Sequence, residues 1–303
     1  MKLNPPACAL LNDGRLHLQH GPIDLIIEAF ADDRQEIEVA YEQASMRFSG
    51  LLASLVKELP RLRTALSKSF PMFGDPVAQR MAIAVWPYRE QFITPMAAVA
   101  GAVADEILQA LTAGRDLRRA YVNNGGDIAL HLARGEKFEI GIAGIEDAAL
   151  DGQFVIRAAD NVRGVATSGW RGRSFSLGIA DSVTVFASNA AQADAAATMI
   201  ANAVNVGHPG IERVPAYEIH AESDLGSLPV TRSVPLLGNE YIRRALDAGQ
   251  VASENYMDNH LVECAAIRLQ GQVRVVPELS FPRKRESMLS RLIPAATLQI
   301  ARA

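Results

Sequence analysis

Apolar residues at Ile37, Tyr41, Ala44, Phe48, Leu51, Leu55 and Leu59 recur in steps of three and four, with glutamate, arginine and lysine spread among the positions between. This spacing gathers the apolar set on one face of a 3.6-residue helix. It predicts one long helix ending at Pro60, where the ring removes an N–H and crowds the preceding turn. Ahead of it, PIDLIIEAF at 22–30 is a short isoleucine-rich run bounded by Gly21-Pro22 and predicts a strand. FPMFGDP at 70–76 is a proline and glycine break. Thr94-Pro95 predicts the start of a second helix, running to about Leu111. A threonine cap can accept an orphan N–H, and a proline at the first helical position gives up a donor that had no partner.

Short apolar runs separated by glycine turns follow at 119–123, 128–132, 138–142, 154–157, 165–168 and 182–187. Their spacing predicts an antiparallel or mixed sheet rather than a βαβ series. A third helix is predicted from Asn189, as its cap, to Val206, with Gly207 as its stop. A helix at 236–248 and a strand at 264–276 complete the pattern. The fold class expected is α+β. No repeat is evident to the eye, although the order strand, long helix, strands, helix is compatible with a duplicated unit.

Composition narrows the function classes. The chain has 303 residues, 49% hydrophobic and 21% charged, enough for a substantial core in one domain over residues 1–280. A net charge of −4 gives no general field for nucleic acid or an anionic membrane. Residues 281–303 form a basic tail of local charge +4, without interleaved aromatics, and are expected to be a disordered appendage. The N-terminal MKLNPPACALLNDGR lacks the apolar stretch of a signal peptide, and no run reaches the ~18 apolar residues of a membrane span. Two cysteines, Cys8 and Cys264, supply no disulfide framework. A cytoplasmic protein is expected, with no nucleic acid and no membrane partner.

Three segments carry candidate chemistry. Asn123, Asn124, Gly125, Gly126 and Asp127 join two strand-like runs: they read either as a tight hairpin turn or as a backbone that comes close to a ligand whose polar edges Asp127 and the asparagines contact. Thr167, Ser168 and Gly169 end a strand just before Trp170, Arg171 and Arg173. Hydroxyls and paired guanidinium donors suit phosphate or carboxylate oxygens, and a solvated turn is the alternative. Asp181 precedes a strand and is either a strand-entry residue or a ligand for a hard cation such as magnesium. Asp105 stands four residues after Gly101 on one face of the alanine-rich second helix. No phosphate loop, dinucleotide fingerprint, nucleophile elbow or zinc helix motif is present, and His17 and His20 are read as surface residues.

Taken in order, AAVAGAVADEI at 97–107, YVNNGGDI at 121–128, ATSG at 166–169 and SVTVFASNAAQADAAATM at 182–199 resemble the ApbE superfamily, whose best-known members are FAD:protein FMN transferases. The likeness is greater to its uncharacterised cytoplasmic branch. The resemblance implies a two-layer α+β fold of antiparallel sheets packed with long helices. It implies a flavin-nucleotide pocket lined by Gly101, Asp105, Gly125, Gly126 and the T-S-G strand end, and hence FAD or FMN as ligand. On that footing the helix opening at Thr94 or the Asn123–Asp127 turn receives phosphate. Arg171 and Arg173 balance charge, and Asp181 with Asp105 assists a magnesium ion in catalysis. A protein acceptor and a homo-oligomer stay open. Two departures stand out: Ala100 occupies the position where transferases of the superfamily carry lysine, and their D-P-x-T-G metal segment is missing between Trp170 and Asp181. A non-catalytic protein binding a small anionic metabolite, or another small-molecule enzyme on the same pocket, is therefore the alternative expectation.

Overall fold

A computed structural model of the chain describes residues 4–143 and 150–277. The elements, in chain order, begin with strands β1 (Ala7–Leu10), β2 (Leu16–His20) and β3 (Ile23–Phe30). Helices α1 (Arg34–Phe48), α2 (Leu51–Leu62), α3 (Pro76–Val85) and α4 (Val99–Thr112) follow. Strands β4 (Arg119–Asn124), β5 (Asp127–Leu132), β6 (Lys137–Ala143), β7 (Leu150–Arg157), β8 (Gly164–Ser168) and β9 (Ser182–Ala187) lead to α5 (Ala190–Ala203). After β10 (Glu212–Pro215), α6 (Ala216–Ile219), β11 (Pro229–Ser233) and α7 (Asn239–Asp258), the chain closes with β12 (Cys264–Leu269) and β13 (Gln272–Val276). No helix among the described residues is long and apolar enough to cross a membrane. The basic tail lies outside the described residues.

Nine strands form one sheet in the order β1-β2-β3-β4-β5-β8-β9-β12-β13, and every neighbouring pair is antiparallel. The topology repeats itself. Hairpins β2–β3 and β4–β5 lie side by side with α4 between them in the chain, and hairpins β8–β9 and β12–β13 do the same with α5. The expected α+β class is what the chain adopts, and the repeat hidden from the eye is present in the topology.

One face of the sheet carries the helices. Leu18, Leu25 and Ile27 of the strands meet Phe48, Leu51, Met81, Ile107, Leu111 and Ile200 beneath them. The hairpin β6–β7 covers the other face, packing Phe138, Phe154 and Ile156 against Tyr121, Leu130, Val165 and Phe186. With both faces covered, β9 is buried along its whole length, which explains why SVTVFA reads as a continuous apolar run rather than an alternating one. Burying one such Phe or Ile side chain is worth roughly 1.5–3 kcal/mol.

Several local expectations change. The predicted single helix ending at Pro60 is two helices, broken at Ser49-Gly50, and Pro60 lies inside α2. Periodicity misses the break because Phe48 and Leu51 on either side both stay in the apolar stripe, buried against the same core. Proline is tolerated because Val56, whose carbonyl loses its partner, is on an exposed side of the helix. The strand predicted over 264–276 is a hairpin, turning at Gln270-Gly271 with positive φ at both positions. Strands β1 and β2 and helix α3 carry too little periodic signal to be read from sequence. His20 is buried against Phe48, not on the surface.

Candidate functional site

The site is built where α4 meets α5. A Cβ on Gly101 would run into the backbone of Ala190 and Ala191, so glycine there lets the two helices come into backbone contact. At that crossing Asp105 of α4 accepts the N–H groups of Ala190 (3.0 Å) and Ala191 (2.9 Å), the opening turn of α5. Asp194 of α5 in turn accepts the N–H of Gly101 at 3.0 Å, in the opening turn of α4. Each carboxylate supplies acceptors to orphan donors and a negative charge to a helix N-terminus. Asn189 caps α5 as the sequence predicts, accepting from Gln192 at 2.9 Å.

Thr94 does not cap its helix. Residues Pro95–Ala98 form a single 3₁₀ turn before α4, and the Thr94 hydroxyl donates to Asp224 at 2.5 Å. That bond ties the start of α4 to the segment between α6 and β11.

The YVNNGGD stretch resolves into the tip of hairpin β4–β5. Asn124 pairs with Asp127, and Gly125 (φ 65°) and Gly126 (φ 115°) occupy a two-residue loop that requires left-handed backbone. Asn123 accepts from the Gly126 N–H at 2.8 Å and stabilises the loop. Asn124 donates to the Ala100 carbonyl at 3.1 Å and docks the hairpin on α4. Arg173 donates to the Gly125 carbonyl at 3.1 Å, and a Cβ at Gly125 would overlap that guanidinium. Asp127 accepts from the Thr167 N–H of β8 at 3.2 Å. The turn is therefore both a hairpin and a wall.

These elements form an open cavity of about 380 Å³ lined by Thr94, Met96, Ala100, Asp127, Arg173, Phe175, Asp194, Met199 and Asn202, and also by Arg63, His220, Glu222 and Asp224. Its size is that of a small-molecule site. The lining mixes the apolar surfaces of Phe92, Met96, Phe175 and Met199 with four carboxylates, two guanidinium groups and one imidazole. Glu222 lies 3.7 Å from Arg63. Asp127 and Asp194 are half-buried, and both line the cavity. Burial pushes the Asp127 carboxyl up to about 7, against the Thr167 N–H and the Arg173 charge. Burial also pushes Asp194 well above the ordinary carboxylate range, and the charge of Asp127 adds to it.

Of the residues singled out from sequence, Thr94, Asp127 and Arg173 line this cavity. Gly101, Asn123, Asn124, Gly125 and Gly126 shape its walls by the contacts just described. Thr167 and Ser168 end β8; the Thr167 hydroxyl bonds Thr184 at 2.9 Å, and its N–H reaches Asp127. Gly169 passes against the backbone of Asp181, where a Cβ would overlap.

Arg171 and the two aspartates expected to be catalytic, Asp105 and Asp181, do not line the cavity. Arg171 stacks over Trp170 and donates to Asp181 at 2.9 Å, away from the cavity lining. Asp181 also accepts from the Trp170 indole at 3.2 Å and the Gln270 N–H at 2.5 Å, so its carboxylate fastens the end of β8 to the β12–β13 turn. Asp105 is occupied by α5, and burial pushes its carboxyl upward against the Ala191 and Ala190 N–H groups. Among the described residues no group of three or more His, Cys, Asp or Glu is arranged to hold a metal.

Sequence reasoning missed Asp194, Arg63, His220, Glu222 and Asp224. Asp194 had a signal comparable to that of Asp105, a carboxylate in an alanine-rich, largely buried helix. The others come from α2 and a polar loop with no periodicity.

The family model described as AbpE bacteria matches residues 8–275. A UPF0280 protein of Methanosphaerula palustris is 34% identical over 231 residues, covering 76% of this chain and 90% of that protein. One of Methanococcoides burtonii is 31% identical over 190 residues, covering 62% and 78%. Among solved structures, the apo flavinyl transferase ApbE of Pseudomonas stutzeri is 13% identical with a TM-score of 0.42, covering 91% of this chain and 95% of that chain.

Proposed function

The chain belongs to the family described as AbpE bacteria, and from that premise we propose that the α4–α5 cavity binds a nucleotide-class ligand, a flavin or adenine nucleotide. One observation carries the reading: three separated segments, the helix start at Thr94, the hairpin tip at Asp127 and the strand-end segment at Arg173, converge on one cavity. Met96, Phe175 and Met199 offer apolar and sulfur surface to a ring system. Arg173 and Arg63 offer guanidinium donors to an anionic group.

The two aspartates expected to assist magnesium are already engaged by the protein, and among the described residues no group of three or more His, Cys, Asp or Glu is arranged to hold a metal. The Asp181 carboxylate is committed to Trp170, Arg171 and Gln270, and Asp105 to α5. FMN transfer to a protein acceptor is the second reading; a magnesium-dependent transferase of that kind needs a metal shell that these side chains do not supply. Binding without metal-dependent turnover is the function the geometry supports best. The reading includes a cytoplasmic setting, in keeping with two free thiols, Cys8 exposed and Cys264 buried.

The test is thermal denaturation of the full chain with FAD, FMN or ADP, each with and without magnesium. A ligand at ~100 times its Kd stabilises the native state by about 2.7 kcal/mol. The expected result is a shift with at least one nucleotide, without a magnesium requirement, and reduced in Arg173→Ala. A shift seen only with magnesium would restore the transferase reading, and no shift with any nucleotide would overturn the proposal.

A further inference from the structure

We propose that the Asp127–Asp194 end of the cavity is a subsite for an amino-bearing group of the ligand, and that filling it expels a proton from the pair. The inference rests on the nucleotide-class reading and specifies which chemical group of the ligand meets which wall.

Asp127 and Asp194 arrive from different elements, the β4–β5 hairpin and α5, and line the same space. Backbone N–H groups hold both: Thr167 donates to Asp127 Oδ1, Gly101 to Asp194 Oδ2, and Ala100 also donates to Asp194. Among the described residues no side chain donates a hydrogen bond to Asp127 Oδ2. Arg173, the cation nearest in effect, acts on Asp127 through its charge while one of its guanidinium nitrogens donates to the Gly125 carbonyl. The other charged groups facing the pair are Asp105 from α4, itself a carboxylate, and across the cavity Arg63, His220, Glu222 and Asp224.

Two carboxylates lining one cavity, with no ion pair to either among the described residues, disfavour double charge, and burial raises both, Asp127 to about 7 against the Arg173 charge, so the pair holds a proton in part near neutral pH. A phosphate at this end would add a third negative charge. An N–H donor does the opposite: it hydrogen-bonds the carboxylate, favours the charged form, and the retained proton leaves to solvent. The anionic part of the ligand is then directed to Arg63, which Glu222 approaches to 3.7 Å, and to His220, on the side built by the end of α2 and the 220–225 segment.

The test is isothermal titration of the full chain near pH 7 with adenosine 5′-monophosphate and with purine riboside 5′-monophosphate, which has hydrogen in place of the amine. Each is run in phosphate and in Tris, whose different ionisation heats report protons exchanged. The expected result is at least tenfold tighter binding of the amino nucleotide with net proton release, both lost in Asp127→Asn, which keeps an acceptor for Thr167. Equal affinities, or proton uptake, would overturn the subsite while leaving the nucleotide reading standing. If neither nucleotide binds, that reading fails, and benzamidine, an amidinium without phosphate, tests the subsite alone. Benzamidine binding weakened tenfold in Asp127→Asn supports it; no benzamidine binding to the wild type overturns it.

Discussion

Asp105 and Asp194 cap each other's helices: each accepts N–H groups from the opening turn of the helix that carries the other. The arrangement follows the repeated hairpin–helix–hairpin topology, since two like units facing each other bring equivalent positions of α4 and α5 together. Only one of the two carboxylates also opens on the cavity. Asp194 lines it and Asp105 does not, which separates a structural carboxylate from a ligand-facing one within a single symmetric contact.

Asp105→Ala removes the acceptor from two buried N–H groups and is expected to destabilise the protein by about 1–3 kcal/mol. Asp105→Asn, which keeps an acceptor, is expected to cost less. Chemical denaturation measures both. A catalytic role for Asp105 would instead show as unchanged stability with lost ligand response.

Gly101→Ala places a methyl group against the Ala190 carbonyl, where both neighbours are backbone and cannot swing away. Overpacking of this kind costs about 1–3 kcal/mol. The expected signature is a lowered denaturation midpoint together with weakened nucleotide binding, because the displaced α4 carries the cavity wall from Thr94 to Ala100.

Asp181→Ala breaks the anchor for the Trp170 indole, Arg171 and the Gln270 N–H. A stability loss of about 1–3 kcal/mol is expected, with the ligand-induced shift and its response to magnesium unaltered. A magnesium response abolished in the folded variant would show Asp181 to be a metal ligand after all.

The pH dependence of stability reports the carboxylate pair. Asp127 titrates near 3.8 when unfolded and about 7 when folded, and Asp194 is raised in the same direction. Between those values the folded state binds more protons than the unfolded state, so this contribution to stability falls as pH rises. Asp127→Asn removes it. The stability of Asp127→Asn relative to wild type is therefore expected to increase from pH 4 to pH 7, as read by denaturant titration at each pH; a constant difference would contradict the raised titration.

Thr94→Val removes the hydroxyl that holds Asp224. The expected cost is modest, about 0.5–1.5 kcal/mol, with faster amide exchange confined to residues 220–228. Exchange spread evenly over the chain would mean that Thr94 supports the core rather than the cavity wall.

The sequence by itself determined the elements whose physics is local. The apolar face running from Ile37 to Leu59, though not the break at Ser49-Gly50 that divides it into two helices, the Asn189 cap of α5 and the Asn-Gly-Gly turn each depend on residues within a few positions of one another, so pattern alone exposes them. The motif order was also legible, and with it the family. Tertiary structure alone decided which side of each motif faces the cavity. Asp105 and Asp194 both sit in alanine-rich helices, yet one is spent on α5 and the other lines the cavity as well. Asp181 reads as a free carboxylate until the β12–β13 turn delivers the Gln270 N–H to it from 89 positions away. Arg63, His220 and Asp224 have no periodicity to betray them; their place depends on where α2 and the loop before β11 come to rest. Long-range packing, not local preference, converts a string of conformational signals into a cavity lined by four carboxylates, two guanidinium groups and an imidazole.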